Sequence, residues 1–159
     1  MMENKKIDLE LLKTLPLSAS FCVNTVEYGF DYIEITDYLA FDLKIPVIVP
    51  VNLGFGSLVL VFTRDSARFA DIIQGQSPNM ENILKSIVQS SGLALPSYLN
   101  NHQQEIFEEI KNKQYDPQII PASNLTSAIV INIILGLLKN DKIKLAPQVI
   151  YLDGQEIIK

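Results

Sequence analysis

Ile45-Pro46-Val47-Ile48-Val49-Pro50-Val51-Asn52-Leu53-Gly54-Phe55-Gly56-Ser57-Leu58-Val59-Leu60-Val61-Phe62-Thr63 is the stretch on which the fold turns. Pro46 opens a run to Val51 that is apolar throughout, and a second apolar run, Ser57 to Thr63, follows it. Valine-rich runs of this length bounded by glycine and proline read as strands. The five residues between them, Asn52 to Gly56, cannot carry a parallel crossover, which takes about a dozen residues or more. If the two strands pair, they therefore pair antiparallel. Gly54 and Gly56 allow the positive φ that a tight reversal needs.

Working upstream, Phe30 to Leu43 has helical spacing, with Ile33, Tyr38 or Leu39, Ala40 and Leu43 available for one face. Before it, Phe21 to Val26 reads as a short buried strand, closed by Glu27 and broken by Gly29. Strand, helix, strand is a βαβ unit, so the strands at Phe21 and Pro46 run parallel with a right-handed crossover. Their continuous apolarity fits a sheet covered on both faces. Further upstream, Ile7 to Leu15 is a lead-in helix that Pro16 ends. The chain is thus expected to be one α/β domain over residues 1–159, with a mixed sheet.

Downstream, three helical pieces are expected at Ser66 to Gln74, Met80 to Ser90 and Tyr98 to Lys113. The last carries Glu105, Glu108 and Glu109 ahead of Lys111 and Lys113, a solvated face with favourable dipole order. Leu125 to Leu138 reads as the most apolar helix, N-capped by Ser123 or Asn124. Its apolar residues wrap most of the circumference, so it is expected to be wholly internal or shared with another subunit. Asn132, if buried there, needs a partner for its amide. A C-terminal hairpin is expected from Gln148 to Leu152, a turn at Asp153-Gly154, and a return strand from Gln155 to Ile158.

Composition narrows the function classes. A chain of 159 residues buries roughly 70% of its unfolded surface, enough for a core without staples. Hydrophobic residues are 48% and charged residues 19%, an ordinary globular balance. The net charge of −5 repels phosphates and argues against a nucleic-acid or anionic membrane partner. The one cysteine, Cys22, can form neither an internal disulfide nor a zinc knuckle. The longest apolar run, Ala128 to Leu138, falls short of the roughly 18 residues of a membrane span. No signal-peptide pattern opens the chain, so a reducing cytoplasm is the expected location.

Chemistry is sparse. Neither G-x-G-x-x-G nor G-x-x-x-x-G-K-[ST] occurs, and Gly54-Phe55-Gly56 leads into a strand rather than a helix, so a plain turn outweighs a ligand-contacting loop. Cys22, inside a strand, is expected to be buried and inert. His102, among polar neighbours, reads as a surface imidazole. Glu27 stands beyond the carboxyl end of a parallel strand, where ligands of open α/β sheets bind. An acid there can hold a magnesium ion or cap the following helix.

The run Ile45 to Val61 resembles the ubiquitin-activating-like adenylyltransferases of the ThiF, MoeB and HesA family, in which a strand reading "IPV" leads to a Gly-x-Gly loop and then a "G-x-V-x-V" strand. Phe21 to Glu27 is similar to the family's strand that ends in a metal-binding aspartate, a position held here by Glu27. The helix Phe30 to Leu43 is similar to the one leading to the "IPV" strand. Asp116-Pro117-Gln118 through Pro121-Ala122-Ser123, the long apolar helix, and Ala146 to Leu152 resemble the family's closing helix and final strands. The likeness covers about two thirds of the chain and implies the C-terminal half of a Rossmann-like fold.

The resemblance implies ATP and magnesium as cofactors of the complete enzyme, with Glu27 on the metal side, but none for this chain alone. The family's glycine-rich ATP loop, adenine-contacting acid and phosphate-binding arginine and lysine have no counterpart in this sequence. Its zinc-binding Cys-x-x-Cys pairs and thioester cysteine are also missing. The expectation is a non-catalytic, homodimerising module that binds a small protein or peptide tail through Asn52, Gly54, Phe55 and Gly56. The alternative is the C-terminal part of an ATP-dependent adenylyltransferase that needs a separate N-terminal half. An unrelated α/β module is a third reading.

Overall fold

The computed structural model describes residues 7–26, 28–102, 104–105, 108 and 120–155. Its centre is a four-stranded sheet in the order β1-β2-β3-β4, comprising β1 (Cys22–Val23), β2 (Val47–Leu53), β3 (Gly56–Phe62) and β4 (Ile150–Asp153). β1 and β2 are parallel, and β2–β3 and β3–β4 are antiparallel. The expected mixed α/β sheet with one βαβ unit is therefore present. Pairing of β2 with β3 runs unbroken from Val47↔Phe62 to Leu53↔Gly56. Gly54 turns the corner at φ +60° while Phe55 keeps an ordinary φ, the pattern of a two-residue II′ hairpin.

β1 is shorter than the expected Phe21–Val26, and Pro50 supplies the reason. Cys22 N donates to Pro46 O at 2.8 Å and Asn24 N to Ile48 O at 2.9 Å, so the even-numbered residues of β2 turn their backbone groups toward β1. Pro50 has no N–H to offer the next carbonyl on that side, and the parallel ladder stops. The β3 side of β2, served by odd-numbered residues, is untouched. Beyond the break, the Asn24 amide group takes over. Its Oδ1 accepts from Val26 N at 3.0 Å, and its Nδ2 donates to Tyr32 O and to Thr36 Oγ1 at 3.1 and 2.8 Å.

The crossover consists of α2 (Phe30–Asp37) running into a π-helical turn, Tyr38–Asp42. Helix α1 (Leu9–Thr14) precedes it, N-capped by Asp8, whose Oδ1 accepts from Leu11 N at 2.8 Å. After β3 come α3 (Phe69–Ile73), α4 (Met80–Ser91) and α5 (Ser97–Asn100). Helix α4 has the strongest local signals, with an Asn79 cap on Asn82 N and Gly92 closing it at φ +66°. Helix α3 has no cap from its own chain neighbour. Asp37 on α2 supplies it, accepting from Phe69 N and Ala70 N at 2.7 and 3.1 Å.

The sheet has two covered faces. One, with Val47, Val49, Val51, Leu58, Leu60 and Phe62, packs against Tyr32, Ile35, Leu39, Phe69, Ile83 and Ile87. Phe62 stacks on Phe69 at 4.9 Å between ring centroids, and Tyr32 meets Phe69 edge-on at 5.5 Å. The other face, with Ile48, Val59 and Val61, is covered by α6 (Ile120–Lys139) through Ile129, Val130, Ile133 and Leu137.

Helix α6 differs from the expected Leu125–Leu138. It is already helical at Ile120, so Ser123 and Asn124 lie inside it and are not caps. At 20 residues it is long and apolar enough, by length and composition, to cross a membrane, which the shorter run Ala128 to Leu138 is not. Nor is it wholly internal. Asn132, expected to be buried, is exposed, its Nδ2 donating to Ala128 O at 2.8 Å. The helix expected from Tyr98 to Lys113 is not continuous: α5 ends at Asn100 and a turn follows at Asn101 and His102, while part of the rest, like the return strand expected after Asp153-Gly154, lies outside the described residues.

Candidate functional site

The Gly54-Phe55 turn stands at the carboxyl end of β2, and two distant segments converge on it. Tyr98, on α5, places its hydroxyl over the turn, where it accepts from Phe55 N at 3.0 Å and donates to Asp153 Oδ2 at 2.6 Å. Tyr151 Oη donates to the same carboxylate oxygen at 2.8 Å, and Gln155 N donates to Oδ1 at 2.8 Å. Gly154 N donates to Phe55 O at 3.1 Å. Asp153 is 2% exposed. Both of its oxygens accept from neutral donors, which hold the buried side chain in place.

Gly54 is needed for φ and for space, whereas Gly56, expected to share the positive φ, lies outside that region as the first residue of β3 and is needed for space alone. A Cβ on Gly54 would lie 2.8 Å from Tyr98 Oη and 2.9 Å from Leu99 Cδ2. One on Gly56 would lie 2.8 Å from Leu152 O and 3.1 Å from Tyr151 Oη. The two glycines are thus covered by tyrosines. Phe55, 38% exposed and edge-on to Tyr98 at 5.8 Å, is the part of the turn that reaches solvent. Burial, with the Asp153 hydrogen bond second, pushes the Tyr98 phenol up to about 12.

Asn52 is not brought to this group. The pleat sends it to the α6 face, where Thr126 Oγ1 donates to its Oδ1 at 2.5 Å and its Nδ2 donates to Ser123 Oγ at 3.4 Å. Ser57, its cross-strand neighbour, has a buried hydroxyl with no partner among the described residues. Glu27, the expected magnesium-side residue, lies outside the described residues. Among the described residues, no group of three His, Cys, Asp or Glu side chains is placed to hold a metal ion.

Cys22 is half-buried rather than fully buried, and burial raises its thiol above the ordinary value, which disfavours the reactive thiolate. His102 is exposed as expected, with Nδ1 3.0 Å from Glu105 Oε2.

The remaining feature is the outward side of α6. Ile131, Leu135 and Leu138 are 57, 46 and 59% exposed and recur at helical spacing, with Ala128 and Asn132 beside them. No charged residue occurs from Ile120 to Leu138. The sequence signalled this face through the helix's all-round apolarity. It did not signal the Tyr98–Asp153 pair, because 55 residues separate the partners and the Asp153-Gly154 turn signal says nothing of what its carboxylate meets.

Fold and site together define an α/β domain with a mixed four-stranded sheet and an apolar helix laid across one face. Comparisons with family models, characterised proteins and solved structures find no match to this chain.

Proposed function

We propose that the domain is a non-catalytic binding module that pairs with a second copy of itself through the outward side of α6. The uncharged stripe of Ile131, Leu135 and Leu138 is the observation that carries this reading. Large apolar side chains lined up on a helix are a surface that monomers seldom leave to water. Two copies of net charge −5 repel one another, and a contact free of charge adds no like-charge pair to that repulsion. Two antiparallel copies of α6 present the same residues to one another, as a twofold contact requires. Phe55, open to solvent beside the rigidly held turn, is the contact we assign to a small protein or peptide tail, with Gly54 and Gly56 setting the turn and Asn52 tying β2 to α6.

Sedimentation at micromolar concentration tests the pairing. The wild-type chain is expected to be a dimer and Ile131→Glu/Leu135→Glu a monomer that still melts cooperatively, at a midpoint independent of its concentration. A monomeric wild type, or a double variant that still dimerises, overturns the proposal.

A second reading is favoured by one observation: β1 is an edge strand running parallel to β2, an arrangement to which a further parallel strand can add. On this reading the chain works as the C-terminal part of an ATP-dependent adenylyltransferase completed by another polypeptide. Thermal stabilisation by ATP and magnesium only when such a partner is present supports it. Stabilisation of the isolated chain by ATP and magnesium counts against it.

A further inference from the structure

At the end of the sheet opposite the Gly54 turn, the chain leaves a solvent-open cavity of about 480 Å³, whose charged side chains are exposed. It lies between the last turn of α6 and the segments that enter β2 and leave β3. Pro46, Leu137, Ile143 and Leu145 give it apolar walls, and Lys44, Arg64 and Lys142 stand on its lining with the acids Asp65 and Asp141. The volume is that of ordinary small-molecule sites, which combine apolar walls with a few convergent polar groups.

The cations come from three segments far apart in sequence, so the fold gathers them. Arg64 Nε lies 3.6 Å from Asp65 Oδ1. Neither Lys44 nor Lys142 makes an ion pair among the described residues. Three cations against two acids leave a net positive lining on a chain of net charge −5. Helix termination alone does not account for the lysines. Lys44 sits at φ +58° just beyond the π-helical turn, a conformation that Gly92 provides at less steric cost after α4. Lys139, in the last turn of α6, already complements that helix end without Lys142.

The geometry points to a binding site for a small organic monoanion with an apolar body. The anionic group sits between Lys44 and Lys142, and the apolar part lies on Pro46, Leu137, Ile143 and Leu145. The site is independent of pairing through α6, because its charged groups lie on the loops around the cavity and not on the outward stripe.

Octanoate is the probe, titrated into the isotope-labelled full chain and followed by backbone amide shifts, with octanol and octylamine as controls. Octanoate is expected to shift the amides of Lys44, Arg64, Asp65, Lys142 and Ile143 saturably, and the controls are expected to leave them in place. Lys44→Gln/Lys142→Gln removes both charges while leaving a polar side chain one bond shorter, and is expected to weaken binding roughly tenfold or more. Lys139→Gln, one turn away, is expected to leave binding unchanged. Equal binding of octanol, undiminished octanoate binding by the Lys44/Lys142 variant, or shifts confined to Ile131 and Leu135 would each overturn the inference.

Discussion

Tyr98 donates its phenolic proton to Asp153 Oδ2 at 2.6 Å, and by that bond a short helix locks the edge strand β4 to the turn between β2 and β3. The same hydroxyl accepts from Phe55 N, so one oxygen serves both sides of the junction. Tyr98→Phe removes a donor from a 2%-exposed carboxylate and an acceptor from a backbone amide. A loss of about 1–3 kcal/mol in urea unfolding is expected. An unchanged midpoint would show that the junction does not depend on this bond.

Ionisation of Tyr98 gives a second handle on the same bond. Its phenol is pushed from 10.0 up to about 12 in the folded chain. A raised folded value means that the stabilisation is complete below the unfolded value and is lost as pH rises through the folded one. Between pH 10 and about 12, wild type is therefore expected to lose stability relative to Tyr98→Phe. Tyrosinate absorbance of wild type minus variant should titrate near the upper value, and titration at the ordinary value would contradict the geometry.

Asp37 makes the opposite of the usual carboxylate prediction. Burial raises its carboxyl above 3.8, outweighing the N–H groups of Phe69 and Ala70 and the nearby Arg68, which favour the charged form. Stability from such a group is present below its unfolded value and lost as pH rises through the folded value. Relative to Asp37→Asn, wild type should gain stability on acidification through the carboxylate range, as measured by urea unfolding at several pH values. Asp37→Ala, which leaves α3 without its cap, is expected to cost about 0.5–2 kcal/mol at neutral pH.

Two isoleucines on α6 separate core from surface. Ile133 is buried against Ile48, Val59 and Val61, whereas Ile131 faces outward. Ile133→Ala should cost about 2–5 kcal/mol and Ile131→Ala within about 0.5 kcal/mol, once dimerisation is suppressed by dilution. Similar losses at both positions would mean that α6 does not lie as described.

Gly54 and Gly75 share a positive φ, +60° and +75°, but only Gly54 is crowded, by Tyr98. Gly75→Ala is expected to cost about 1 kcal/mol from backbone strain. Gly54→Ala adds a clash with the tyrosine and should cost clearly more. Equal thermal midpoints for the two variants would contradict the packing of Tyr98 on the turn.

Much of this architecture was legible in residues that act on their neighbours. Valine-rich runs around Gly54-Phe55-Gly56 specify a hairpin because a short link permits nothing else, and Asn79 and Gly92 bracket α4 by capping alone. The βαβ order makes β1 and β2 parallel by chain geometry. The early stop of β1 was also present in the sequence, as Pro50, but it acts only once its nitrogen is known to face β1.

Tertiary structure decided the rest, because those choices depend on groups that meet across long loops. Asp37 capping α3, Tyr98 and Tyr151 sharing Asp153, and Lys44 and Lys142 lining one cavity involve side chains with no local pattern to announce them. The all-round apolarity of α6 determined that it would seek a partner surface. Only its docking on Ile48, Val59 and Val61 decided which side it turns to the sheet and which to the outside. A helix apolar on every side has no periodicity to choose between them, and the pleat of β2 and β3 makes that choice.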